Sequence, residues 1–374
     1  TIQMAAISET GAQLFARLGE KPSLARLHPK LIPPGLEPRP GDVVEIYGNS
    51  GSGKTELLLN MAAMCILPER WKTIYIGGLG TSVVFIDTDH QFSMLRLYAL
   101  LERKVAEAID ERTKRKDRTG DHDGGTASTT HFDSECANQK DSDSNKETCL
   151  QQNVNLNFHS ASCRTTENAN WSIDEAQFSP PSEEEVETFL KACLKKLYMV
   201  KIATSNQLVI TLHSLESLLA SQCDISVLMM DSVSAFYWVD RMKGDGAHRQ
   251  GVNQKLAFGA LSRLVEDYHL VLFASKAALV TKQPQNEFSL RLDSTGETDH
   301  SNRTSTTSVK LSTDHHEFMS QEWTKLVTHR MILERHDHMT SDGPNSSYLS
   351  VLKHKASGNM YSCQFIIDQQ GIRV

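Results

Sequence analysis

The sequence predicts an α/β protein built on a doubly wound, mainly parallel sheet with antiparallel strands toward the C-terminal end. Three observations carry this prediction. Short runs that are apolar on both faces recur along the chain, as buried parallel strands require. Each later run is preceded by a helix-period segment, the grammar of right-handed βαβ crossovers. From Met331 onward the pattern changes to that of antiparallel strands.

Taken in order, Val43 to Tyr47 is the first strand, and a helix follows over Glu56 to Cys65. Ser82 to Asp87 is the second strand, leading into a helix from about Phe92 to Ala108 with Met94, Leu95, Leu97, Tyr98 and Leu101 as its apolar positions. Further strands are expected at about Met199–Ala203, Ser226–Met230 and Leu270–Ala274. Between them, residues 106–182 are rich in Ser, Thr, Asn, Asp and Lys and poor in large apolar side chains. Such a segment buries too little surface to offset its chain entropy, so it is predicted to be a disordered insertion at a surface connection. It ends at Ser182-Glu183-Glu184-Glu185, a capping box that opens a helix with Val186, Phe189, Leu190, Cys193, Leu194 and Leu197 on one face. The domain organisation read from this is an N-terminal segment and linker over 1–40 and a core over 41–374, interrupted by the insertion.

The connection between the first strand and helix carries the chemistry. Gly48-Asn49-Ser50-Gly51-Ser52-Gly53-Lys54-Thr55 has the Gly-x-x-x-x-Gly-Lys-Thr pattern of a phosphate loop, in the strand–loop–helix context that confirms the motif. Glycines let successive N–H groups converge on one concavity, and the helix behind adds the positive end of its dipole. Lys54 is expected to reach the outer phosphates of a nucleotide and the Thr55 hydroxyl to ligate magnesium. Val227 to Met230 followed by Asp231 has the form of a second phosphate-site strand, with Asp231 as the magnesium-site carboxylate. In a doubly wound sheet ligands collect at the carboxyl ends of strands, so Asp231 and Asp89 are both expected to face the loop.

Composition bounds the alternatives. With 374 residues, 39% hydrophobic and 23% charged, the chain is long enough for one or two domains, and its longest apolar stretches are strand-sized. Thr1 to Arg17 lacks a secretory pattern, and seven cysteines with no Cys-x-x-Cys pair read as reduced thiols, so an intracellular protein is expected. His315 and His316 stand in a polar stretch without ligand-spaced company, which reads as loop rather than metal site. A net charge of −7 excludes bulk electrostatic coating of nucleic acid, leaving local contacts. Arg112, Lys114, Arg115, Lys116 and Arg118 form a basic run that is either a nuclear import signal or a solvated charge cluster. The trio Phe236-Tyr237-Trp238 either stacks on bases or packs in core or interface, the latter being the commoner fate of aromatics after a buried strand.

Together, the loop, Phe85-Ile86-Asp87-Thr88-Asp89 and Leu228-Met229-Met230-Asp231-Ser232 resemble the ATPase core of RecA-type recombinases, specifically the recombinase paralogues. The resemblance implies a RecA-like P-loop ATPase core, ATP and magnesium as cofactors, and nuclear work on DNA repair and recombination. Lys54, Thr55 and Asp231 match its nucleotide-binding positions. Asp89 stands where active members carry the glutamate that orients the attacking water, one methylene short, which implies weak DNA-dependent ATPase activity at most. Ser275-Lys276 replaces the Asn-Gln pair that senses the γ-phosphate, and a lysine cannot both donate and accept.

The family's two DNA-binding loops map to about Arg241–Gln250 and Ala277–Gln321, giving Arg241, Lys243 and Arg249 as DNA-contact candidates, with His248 beside them. The second loop offers Lys282, Arg291, Arg303 and Lys310 but few aromatic platforms for bases. Filament-forming members add an N-terminal helical domain and a Phe-x-x-Ala tether. Here 47 residues precede Gly48, and the one match, Phe189 to Ala192, lies on an amphipathic helix where packing explains it. The expected role is therefore an ATP-binding accessory subunit of a paralogue complex in homologous-recombination repair of double-strand breaks. The expected partner is the D-type recombinase paralogue, docked through exposed Leu14, Phe15, Leu18, Leu24 and Leu27, with further paralogues and single-stranded or branched DNA reached through the complex. The alternatives are a stand-alone DNA-stimulated ATPase and a scaffold with a vestigial nucleotide site.

Overall fold

The computed structural model describes residues 21–120, 178–243, 246–278, 317–340 and 343–374, with Gly11, Leu14, Gly19 and His315. The chain divides into one unit of Thr1–Asp110 and Pro181–Val374 and a second of Glu111–Pro180. Among the described residues the first unit holds all the strands and helices except the end of one helix.

Its centre is a nine-stranded sheet, in the order β11-β10-β9-β8-β1-β7-β6-β4-β5. The strands are β1 (Val43–Gly48), β4 (Ser82–Asp87), β5 (Leu197–Lys201), β6 (Ile225–Asp231), β7 (Val271–Ala277), β8 (His329–Thr340), β9 (Gly343–His354), β10 (Met360–Asp368) and β11 (Gly371–Arg373). From β5 across to β8 neighbouring strands are parallel, and β8 to β11 are antiparallel. β1, β4 and β6 are buried at every position, which explains their continuous apolar runs. A small ribbon of β2 (Arg70–Trp71) and β3 (Ile74–Tyr75) stands apart and was not predicted.

Among the described residues seven α-helices complete the fold: α1 (Lys54–Ile66), α2 (Met94–Gly120), α3 (Glu183–Leu194), α4 (Ser205–Ser221), α5 (Tyr237–Arg241), α6 (Gly246–Asp267) and α7 (Gln321–Leu326). They cover both faces. Val44, Ile46, Phe85 and Phe273 pack against α1, α2 and α3, while Val43, Val84, Leu228 and Leu272 pack against α4, α6 and α7. Side-chain alternation along each strand assigns these residues to opposite layers. The capping box forms as expected, with Glu185 N donating to Ser182 Oγ at 3.3 Å and Ser182 N to Glu185 Oε2 at 3.0 Å. Phe189 stacks on Trp71 with ring centroids 4.3 Å apart, so this Phe-x-x-Ala phenylalanine is a packing residue.

Two boundaries differ from expectation. The helix that follows β4 continues to Gly120 rather than ending at Ala108; Leu97, Leu101, Val105 and Ala108 are its buried stripe, and beyond them the Glu-, Arg- and Lys-rich run that follows is made largely of good helix formers. Of the proposed insertion, residues 106–120 are thus helical, and residues 121–177 lie outside the described residues.

The N-terminal segment is the second. Leu24 and Leu27, expected to be exposed docking residues, are 3% and 1% accessible and join Leu31, Ile32 and Leu36 in the core. A 3-10 turn over Leu24–Arg26, capped by Ser23, inserts them. Lys21 Nζ then ties the segment to the carbonyls of Cys223 and Ile225 at 2.9 and 3.0 Å. Leu14 is exposed, and Phe15 and Leu18 lie outside the described residues.

Candidate nucleotide site

The phosphate loop leaves β1 at Gly48 and re-enters helix at Lys54. Gly51 and Gly53 have φ of +75° and +88°, the left-handed region that favours glycine. A Cβ on Gly48 would lie 2.6 Å from Leu333 O and collide with Ser52 Oγ, and one on Gly53 would lie 2.5 Å from Ile367 Cδ1. The loop is therefore a cradle with no spare room behind it. The other loop positions follow suit: Ser52 is buried, with its N–H donating to Asn49 O at 3.3 Å, and Asn49 and Ser50 are exposed.

Lys54 curls back over this cradle, its ammonium donating to Gly48 O at 2.9 Å and Asn49 O at 2.7 Å. Burial lowers its pKa, with Asp231 and Asp89 pulling the other way. Thr55, one residue on, donates its hydroxyl to Asp231 Oδ2 at 2.6 Å. Asp231 ends β6 with its side chain buried, and its second oxygen accepts from Ser275 Oγ. This hydroxyl–carboxylate–hydroxyl array is an all-oxygen donor set, the kind magnesium prefers. Sequence reasoning brought Lys54, Thr55 and Asp231 together and missed Ser275 as their partner.

Asp89 is held beside them by backbone. Its N–H and that of Thr88 both donate to Asp231 O, at 3.0 and 2.8 Å, while Ser232 N donates to Thr88 Oγ1 at 2.6 Å and Thr88 Oγ1 to Ser232 O at 2.7 Å. Partial burial raises the Asp89 carboxyl above its ordinary value, and the nearby charges of Asp231 and Asp87 add to this against Ser232 and Lys54. Asp87 is itself buried, with Oδ1 accepting from Gln91 N at 3.2 Å and Oδ2 unpartnered among the described residues.

Lys276, next to Ser275 in sequence, does not face the nucleotide site. It alternates with Ser275 along β7, so its side chain leaves on the other face of the sheet. There it is fully buried, 2.8 Å from Glu45 and 3.0 Å from Glu317, with His315 and Arg330 completing the cluster. His315 thus packs into an ion network and against Tyr47 rather than standing in a solvated loop. Glu45, His315 and Glu317 bring three ligand atoms within 4.8 Å of one another, but the two carboxylates are already paired with the Lys276 ammonium and the Arg330 guanidinium.

The DNA-contact candidates fall on helix ends. Arg241 closes α5 and donates to Tyr237 Oη at 3.2 Å, Lys243 follows it, and Arg249 lies in the first turns of α6; all three are exposed. The first expected loop is thus largely helical. Of the second, residues 279–314 lie outside the described residues. Phe236 and Tyr237 are partly buried in the second core layer, and Trp238 is 51% exposed. Among the described residues no helix is long and apolar enough to cross a membrane.

No protein-family model matches the chain. Over 369 residues it is 27% identical to the DNA repair protein XRCC2 of Mus musculus, spanning 98% of this chain and 96% of that one. It is 26% identical over 342 residues to the DNA repair protein XRCC2 homolog of Arabidopsis thaliana, covering 87% and 77% of the two chains. A shorter stretch of 103 residues, 27% of this chain and 30% of the relative, is 33% identical to the DNA repair and recombination protein RadA of Methanoculleus marisnigri. With a RecA-like sheet around a phosphate loop, the chain is similar to XRCC2 proteins along nearly its whole length and, over a shorter stretch, to the recombination protein RadA, which makes it XRCC2-like.

Proposed function

We propose that this recombination-repair paralogue binds ATP with magnesium at residues 48–55 and Asp231, and acts as an accessory subunit of a heteromeric paralogue complex in homologous-recombination repair of DNA double-strand breaks. The observation that carries the nucleotide reading is the 2.6 Å contact between the Thr55 hydroxyl and Asp231, from residues 176 apart in sequence, at the mouth of a loop that tolerates no side chain at Gly48 or Gly53. Bound magnesium would neutralise the outer phosphates, and these oxygens are the groups that would hold it. Lys54 would exchange its two loop carbonyls for phosphate oxygens.

Work inside a complex is supported by the similarity to XRCC2 proteins, and the proposed neighbour is the D-type recombinase paralogue. Single-stranded or branched DNA would be met through Arg241, Lys243 and Arg249 with the help of the complex, in the nucleus. Asp89, one methylene shorter than glutamate, favours a nucleotide that is held over one that is turned over quickly. This separates the accessory reading from a stand-alone DNA-stimulated ATPase.

The test is co-expression with the D-type paralogue and analysis of nucleotide retained by the purified pair. Retention of ATP or ADP by wild type and its loss in Lys54→Ala are expected. An equally stable pair that contains no adenine nucleotide, and takes none up at millimolar supply, would leave the scaffold with a vestigial site.

A further inference from the structure

Arg335 lies on β8 two residues beyond Leu333, the last β8 residue in register with β1, where it faces Gly48. Leu333 packs in the core layer that contains α1, and alternation puts Arg335 on that same face, above the phosphate loop. Its Nη1 comes within 3.8 Å of where a Cβ on Gly51 would stand. The rest of the guanidinium is braced. Nε donates to Asp337 Oδ1 at 2.8 Å and Nη2 to Ser346 Oγ at 3.0 Å, while Ser346 Oγ donates to Asp337 Oδ1 at 2.7 Å. Among the described residues, Nη1 has no hydrogen-bond partner.

We propose that Arg335 is a second phosphate ligand of this site, a cation supplied by the same chain whose Nη1 hydrogen-bonds the outer phosphates of a bound nucleoside di- or triphosphate. The proposal rests on the reading of residues 48–55 as a nucleotide site and adds a residue that the loop motif does not contain. A guanidinium already fixed by two partners loses little freedom when it meets an anion, and N–H donors from a charged group form the stronger hydrogen bonds. Lys54 and Arg335 then approach the phosphates from two sides, one from the helix and one from the strand beside the loop.

Displacement of a fluorescent adenine nucleotide by ATP, ADP and AMP, measured on the purified complex with magnesium, tests this. Arg335→Ala is expected to weaken ATP and ADP about 10- to 100-fold, to leave AMP within about twofold, and to leave the melting temperature unchanged. Arg335→Lys is expected to recover part of the loss. Equal ATP affinity in wild type and Arg335→Ala overturns the assignment and leaves the nucleotide reading standing. So does a loss that is the same for ATP, ADP and AMP and tracks a lowered melting temperature. If wild type displaces nothing, the nucleotide reading itself falls, and the role of Arg335 with it.

Discussion

Lys276 Nζ lies 2.8 Å from Glu45 Oε2, and neither side chain reaches solvent. The pair is the centre of a network in which Trp323 Nε1 donates to Glu45 at 2.6 Å and Arg330 Nε to the same carboxylate at 2.6 Å. Burial alone would push the Glu45 carboxyl up, but His315, Lys276 and Arg330 reverse this and hold it far below the usual carboxylate range. Removing one partner leaves a buried charge partly uncompensated, which costs about 3–5 kcal/mol when nothing else pairs with it. Because Arg330 remains, Lys276→Met is expected to cost about 3 kcal/mol by urea unfolding. Adding Glu45→Gln should recover part of the loss, and strictly additive costs would show that the two residues are not coupled.

Glycines at two positions are expected to respond with opposite sign. At Gly53 an alanine meets Ile367 and must hold φ near +88°, so Gly53→Ala should lower stability by about 1–3 kcal/mol and weaken nucleotide binding. Gly259 lies within α6 with nothing within 4 Å of its added Cβ, so Gly259→Ala should raise stability by about 0.5–1 kcal/mol. Thermal melts of both variants decide it.

Asp89→Glu restores the missing methylene. If reach limits hydrolysis, phosphate release by the complex with single-stranded DNA should rise about 10- to 100-fold, since a misplacement of roughly 1 Å has an effect of that size. Unchanged turnover would place the limit elsewhere in the site.

Acidification should weaken the fold through His28. Burial, then the nearby charges of Lys104 and Lys30, lower its pKa from 6.5 to about 4, so the folded chain refuses a proton that the unfolded chain accepts. Stability is full above about pH 6.5 and falls progressively toward pH 4, by about 2 kcal/mol. Glu45 adds its own loss only at lower pH, as its depressed carboxyl finally protonates. Melting curves at pH 7.5 and 5 for wild type and His28→Asn test this; parallel losses in the two proteins would acquit the histidine.

The parallel strands were legible because burial on both faces writes continuous apolar runs, and the loop because glycine positions, Lys54 and Thr55 are consecutive. What stayed hidden depends on neighbours remote in sequence. Leu24 and Leu27 sit at a single 3-10 turn, too short for its i, i+3 spacing to tell a buried face from an exposed one. Lys276 is flanked by strand residues, yet its partners Glu45 and Glu317 come from elsewhere in the chain, and only the alternation of β7 decides which face it takes. Arg335 acquires meaning once β8 is known to lie beside β1, a pairing no local pattern records.

Thr88 and Ser232 cross-stitch the ends of β4 and β6, so Asp89 and Asp231 ride on one stiff plate. Whatever rearrangement accompanies occupancy must then be made by the glycine curl and the Lys54 arm. Amide-exchange rates at the plate would stay flat across every ligand state, and a probe placed there would report little of what happens a few ångströms away.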